Sequence, residues 1–232
     1  MYKKITHNII EEHFDNIAAY QCGGNAKIMM SGNSITAGIF SGGENSPSAV
    51  ALKSAAKDYF LNYLMGVRNY IISKISGDIS ATTESRKILD QHVQKFSKLI
   101  SSFFSLEDTP KIVTAFTNLT NRILDMIDGL AENKNTEASQ AELTKEINNF
   151  AGLLYSLAPN QWSQWPLINL WASIANSIAD QVRSRISKNW EEDSAALDRS
   201  AMYLVTNVFP DLGFSEALAK GIIYLRPGRF ET

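Results

Sequence analysis

The stretch LMGVRNYIIS, Leu64 to Ser73, sets Arg68 in the middle of one of the most apolar runs of the chain. Helical spacing puts Arg68 on one side with Leu61, Leu64, Met65, Ile71 and Ile72, so its side chain points at least partly inward. A guanidinium keeps its charge, and once buried it needs carboxylate or carbonyl partners. Removing those partners costs about 3 to 5 kcal/mol. Three arrangements satisfy the requirement. Arg68 can line a polar pocket that binds an anionic ligand, form an internal ion pair that fixes helix register, or snorkel to the surface. Asp180 and Asp198 are the first acidic partners to consider.

The other chemistry-bearing residues are sparse. His7 and Glu11 stand four apart, close enough to face one metal, but two ligands do not make a site. His13 falls on a different side. His92 lies beside the apolar positions Leu89 and Phe96, either as a boundary residue or as a lone polar group lining a pocket. Cys22 is the one thiol, which excludes an internal disulfide and any multi-cysteine metal site. No nucleophile elbow, phosphate-binding loop or dinucleotide fingerprint occurs, so no catalytic residue, metal site or cofactor is assigned. In NQWSQWPLINLW, Trp165 before Pro166 serves a helix start, whereas Trp162, read as a loop residue, is the interaction candidate.

The bulk numbers narrow the class. With 44% hydrophobic and 20% charged residues the composition is that of a globular domain. A formal charge of -2 gives no field that would draw the chain onto nucleic acid. The start MYKKITHNIIEEHFDN is too interrupted for a signal peptide, and no run of about 18 apolar residues forms a transmembrane segment. A cytoplasmic address follows, compatible with secretion that uses no cleaved signal.

These residues must be positioned by helices. Residues 46–225 carry apolar stripes at alternating steps of three and four, the pattern of side-by-side helices in a bundle. Ser46 and Pro47 open a helix that runs to about Ile75 and stops at Gly77. The next spans about Thr83 to Phe104, a third starts at Thr109 and Pro110, and a fourth starts at Thr136 and ends before Pro159. A fifth runs from about Pro166 to Lys188, a sixth from Trp190 to Phe209, and a short last one from about Ser215 to Tyr224. The fold expected is all-α, a mostly antiparallel bundle of about six or seven helices. An appendage at residues 1–45 precedes it, with a short amphipathic helix and a glycine-rich segment that is either a β-hairpin or a flexible leader. Residues 226–232 form a tail.

The segments LMGVRNYIIS, LLYSLAPNQWSQWPLINLWASIANSIADQV and NWEEDSAALDRS together resemble a family of bacterial all-helical proteins of uncertain function. Some of its members carry unsupported glycosyltransferase-type names. The resemblance covers roughly residues 52–223. Its first long helix reads His-x-x-x-Thr-Arg, then an apolar stretch ending in Ser; Arg68, Ile71, Ile72 and Ser73 match, while Tyr63 stands at the histidine and Val67 at the threonine. A family Glu-His pair falls near Ser173 and Ile174, and Asp180 lies beside a family acidic position. Trp190, Asp193 and Asp198 resemble the family's tryptophan and aspartates. Helix-borne His and Glu suit a metal inside a bundle, but those histidines are missing from this chain.

The function expected is therefore a non-catalytic module that binds an unknown protein or a small anionic ligand, with Arg68, Tyr63, His92, Asp180 and Asp198 as ligand-binding candidates. Two alternatives stand beside it: a metal-binding or enzymatic bundle with a degenerate site, and a membrane-surface protein that uses the first helix as an amphipathic foot.

Overall fold

Ser46 and Pro47 open the first helix in the way their residue types dictate. Ser46 has extended backbone and its Oγ accepts from the Ala49 amide at 3.3 Å, while Pro47 takes the first helical position, where no amide proton is needed. The computed structural model describes residues 46–205 and 213–229. Among these residues there are seven α-helices, one 3-10 turn and no strand. The helices are α1 (Pro47–Ser76), α2 (Ile79–Ile100), α3 (Asp108–Ala131), α4 (Glu137–Leu157), α5 (Gln164–Ile186), α6 (Trp190–Val205) and α7 (Phe214–Leu225), followed by the turn Pro227–Arg229. The expected N-terminal helix and hairpin lie outside the described residues, as do His7, His13, Cys22 and the membrane-foot reading built on the first helix. No described helix is long and apolar enough to cross a membrane.

Several boundaries differ from the sequence expectation, each for a local reason. Gly77 ends α1 in the left-handed region at φ 72°, but the next helix starts at once, four residues earlier than Thr83. Asp78 is its cap, accepting from the Ala81 amide at 2.9 Å. α2 ends at Ile100 rather than Phe104, because the chain tightens there and the Phe103 and Phe104 amides both turn back to the Ile100 carbonyl. α3 begins at Asp108, where Ser105 and Asp108 bond reciprocally: Ser105 Oγ accepts from the Asp108 amide at 2.9 Å and donates to its carboxylate at 2.6 Å. Pro110 and Pro166 therefore sit in the first turns of α3 and α5, where a missing amide proton costs nothing.

Cross-helix pairs give the topology. Tyr63 meets Thr120, Tyr70 meets Asp128 and Lys74 meets Glu132, so α1 and α3 run parallel in constant register. Phe60 and Trp171 both pack on Phe214 while Arg68 reaches Gln181, so α5 also runs parallel to α1. The pairs α1–α2 and α5–α6 are antiparallel: Tyr59 lies on Phe96 and Gly66 beside Leu89 for the first, and Asp180 reaches Arg199 while Arg185 reaches Asp193 for the second; α7 runs the same way as α6, with Phe214 on Phe60 and Glu216 reaching Lys53. The result is an up-down bundle around α1, which touches five other helices.

The expected stripes form the core. Leu89, Val93, Phe96 and Ile100, then Ile112, Phe116, Leu119 and Ile123, then Leu143, Ile147, Phe150 and Leu154, and Leu167, Trp171, Ile174, Ile178 and Val182 are all buried. At the centre Phe60, Phe96, Phe116, Phe150, Trp171 and Phe214 meet ring to ring, with centroids 4.7 to 6.1 Å apart. Such pairs add about 0.5 to 1.5 kcal/mol each to their burial, so this cluster fixes helix spacing as well as stabilising it.

Candidate functional site: a buried arginine-aspartate-arginine cluster

α1, α5 and α6 bring four polar side chains together inside the bundle. Arg68 is buried, and its guanidinium grips Asp193 with both terminal nitrogens, Nη2 to Oδ2 at 2.5 Å and Nη1 to Oδ1. Nη1 also donates to Gln181 Oε1 at 3.1 Å. Gln181 is fully buried and passes the chain on, donating from Nε2 to Ser200 Oγ at 2.9 Å, and Ser200 donates to the Ala196 carbonyl at 3.0 Å. A bidentate guanidinium-carboxylate pair is among the strongest polar contacts a protein makes, and a buried network of this kind fixes register between helices.

The local structure explains why these residues meet. Asp193 lies in the first turn of α6, where a negative side chain suits the exposed backbone amides, and Asn189 caps that turn by accepting from the Glu192 amide at 3.2 Å. Asp193, Ala196, Ser200 and Leu204 form a buried stripe on α6, at steps of three and four. The α5–α6 elbow is short, with Lys188 in a left-handed conformation at φ 58°, so the end of α5 lies against the start of α6.

A second arginine completes the cluster. Arg185 on α5 donates from Nη2 to Asp193 Oδ2 at 2.7 Å, and Trp190 lies over its guanidinium at 5.6 Å. Its Nε is buried and has no hydrogen-bond partner. Burial, then the charge of Arg68, pushes the Arg185 guanidinium pKa down, and Asp193 opposes the shift. Two cations thus share one buried carboxylate.

The predicted site residues do not assemble around Arg68. Asp180 pairs instead with Arg183 at 3.2 Å and Arg199 at 3.3 Å on the outer side of the hairpin, and Asp198 is exposed. Neither is the partner of Arg68, because the inward stripe of α6 passes through Asp193. Tyr63 is fully buried on the α3 side of α1, its hydroxyl 3.2 Å from Thr120 Oγ1, and burial pushes its pKa up to about 12 against that hydrogen bond. His92 is half-buried on α2. Burial and then Lys95 push its imidazole pKa down, and its main-chain carbonyl accepts from the Tyr59 hydroxyl at 2.9 Å.

Trp162 is 3% exposed and offers no open ring surface. Its indole donates to the Ala217 carbonyl at 3.0 Å, stacks with Phe104, and fills the space beside Gly221, where a Cβ would lie 2.1 Å from the ring. Trp165, expected to serve the start of α5, lies in its first turn with its side chain exposed. Gln181 and Arg185 are the functional candidates that the sequence pattern did not single out, whereas Trp190 and Asp193 entered there only through the family resemblance. Among the described residues no group of three or more His, Cys, Asp or Glu side chains is placed to hold a metal.

Comparison of the chain with protein-family models, curated proteins and solved structures gives no match.

Proposed function

We propose that this chain is a non-catalytic helical module that binds its partner or small ligand at the α5–α6 elbow. One observation carries the reading: Trp190, 56% exposed, stands over the guanidinium of Arg185 beside Ile186, which is 47% exposed at the end of α5. Tryptophan and arginine next to an aliphatic side chain are what binding surfaces concentrate, since they combine apolar area with a directed charge. The non-catalytic half of the reading is supported by the state of the inner polar groups. Arg68, Gln181, Asp193 and Ser200 spend their hydrogen bonds on one another, which holds the helices rather than presenting reactive atoms.

A thermal-shift screen of small molecules of varied charge tests this reading. Ligands that stabilise the wild-type chain are expected to lose about tenfold in affinity or more in Trp190→Ala. A set of ligands that all bind Trp190→Ala as well as wild type would contradict it.

A further inference from the structure

We propose that Arg185 is the anchor of a carboxylate-binding site, the ligand completing the charge balance of the buried cluster; this inference rests on the elbow reading above and gives its ligand a chemistry. Arg68, Gln181 and Ser200 are satisfied within the network, and Asp193 is 3% exposed and already accepts from both arginines. What remains over is positive. Two guanidinium groups face one carboxylate, and the surplus charge resides on Arg185, whose Nε is enclosed without an acceptor and whose Nη2 is committed to Asp193. Nη1 is the donor left for a ligand, and the side chain, 19% exposed, is open enough to receive one.

The charges around the elbow decide between anions. Outside the cluster, Asp180 is paired with Arg183 and Arg199, and Glu192 with Arg199 at 2.5 Å, so they leave the excess on Arg185 uncancelled. A monoanion brings the cluster to neutrality. A phosphate dianion would overshoot it, leaving a net negative charge near Glu191 in the first turn of α6. A carboxylate oxygen can accept from Nη1 beside the tryptophan ring that lies over the guanidinium.

Titration of the full chain with propionate, with a blocked tripeptide carrying one central glutamate, and with inorganic phosphate, all at constant ionic strength, tests the proposal by calorimetry. Saturable binding of propionate or the peptide is expected, at least about tenfold weaker in Arg185→Gln and unchanged in Arg183→Gln. Tighter binding of the peptide identifies a side-chain carboxylate of a partner as the source, and equal binding a free acid. If Arg185→Gln does not fold, Arg185→Lys serves instead; it keeps the charge, loses the planar fork, and is expected to bind measurably more weakly than wild type. No saturable binding of either carboxylate, binding that is the same in the Arg185 variant, or phosphate binding tighter than both would overturn the proposal. If carboxylates fail while neutral ligands sensitive to Trp190→Ala remain, the carboxylate inference falls and the elbow reading stands; if those ligands are absent as well, both fall.

Discussion

Replacing Asp193 by Asn should cost more than replacing Arg68 by Met, although both changes break the same pair. The asparagine side chain would keep the shape of the aspartate but remove the one carboxylate shared by two guanidinium groups. Arg68, buried, would lose its counter-charge, and Arg185 would face it unscreened. Breaking a buried pair and leaving an uncompensated charge costs about 3 to 5 kcal/mol. The repulsion between the two arginines puts this change at the upper end of that range. Arg68→Met instead leaves Asp193 Oδ2 paired with Arg185 at 2.7 Å and takes the donor from Gln181 Oε1 and Asp193 Oδ1; because the carboxylate keeps one arginine, the cost is that of unsatisfied acceptors, about 1 to 3 kcal/mol. The double variant should be less destabilised than the sum of the two, because the residues share one interaction. Urea unfolding followed by far-ultraviolet circular dichroism reads all three. At about 2 to 4 °C per kcal/mol, Asp193→Asn should also lower the melting temperature by roughly 8 to 20 °C. Equal losses for the two single variants, or a loss below about 1 kcal/mol for Asp193→Asn, would contradict a carboxylate shared by two buried cations.

Gly221→Ala drives a methyl into the Trp162 ring, which is held by Phe104 and the Ala217 carbonyl, so a loss of about 1 to 3 kcal/mol is expected in the same urea experiment. Asp78→Ala removes the α2 cap, and a loss of about 0.5 to 2 kcal/mol should appear as a lowered urea midpoint with unchanged slope. Tyr63 and Tyr70 have their pKa values pushed up to about 12 by burial, and Tyr59 is raised by burial as well. The unfolded chain releases these protons near pH 10 and the folded one does not, so their contribution to stability is present below about pH 10 and is lost as the pH rises towards 12. Phenolate absorbance should show a group of tyrosines that titrates only as the helical signal disappears, whereas a titration complete before unfolding would remove that claim.

The helices were legible because burial repeats at the helical period. Positions such as Leu89, Val93, Phe96 and Ile100 could be listed as a face from residue type alone, and they are that face. The inward direction of Arg68 was legible for the same reason, since it shares a side with Leu64 and Ile71. Its partner was not. Asp180 and Asp198 looked equally available, yet the inward stripe of α6 runs Asp193, Ala196, Ser200 and Leu204, with Ala and Ser too small and Asp too polar to advertise it as apolar. Following the three-and-four spacing back from Leu204 would have reached Asp193. The burial of Trp162 gave no local signal: it depends on Gly221, far along the chain, leaving room beside α7. Arg185 was equally hidden, because its importance lies in an inequality of charge among residues from three helices.

Arg68 is committed to partners inside the bundle, whereas Arg185 has a donor to offer. Nuclear magnetic resonance of the arginine side-chain N–H groups, with and without propionate, tests this contrast directly. The Arg68 guanidinium protons are expected to exchange slowly with solvent and not to respond to propionate, while the Arg185 signals shift saturably. Rapid exchange at Arg68, matching that of exposed Arg183, or a propionate response at Arg68 with none at Arg185, would contradict it.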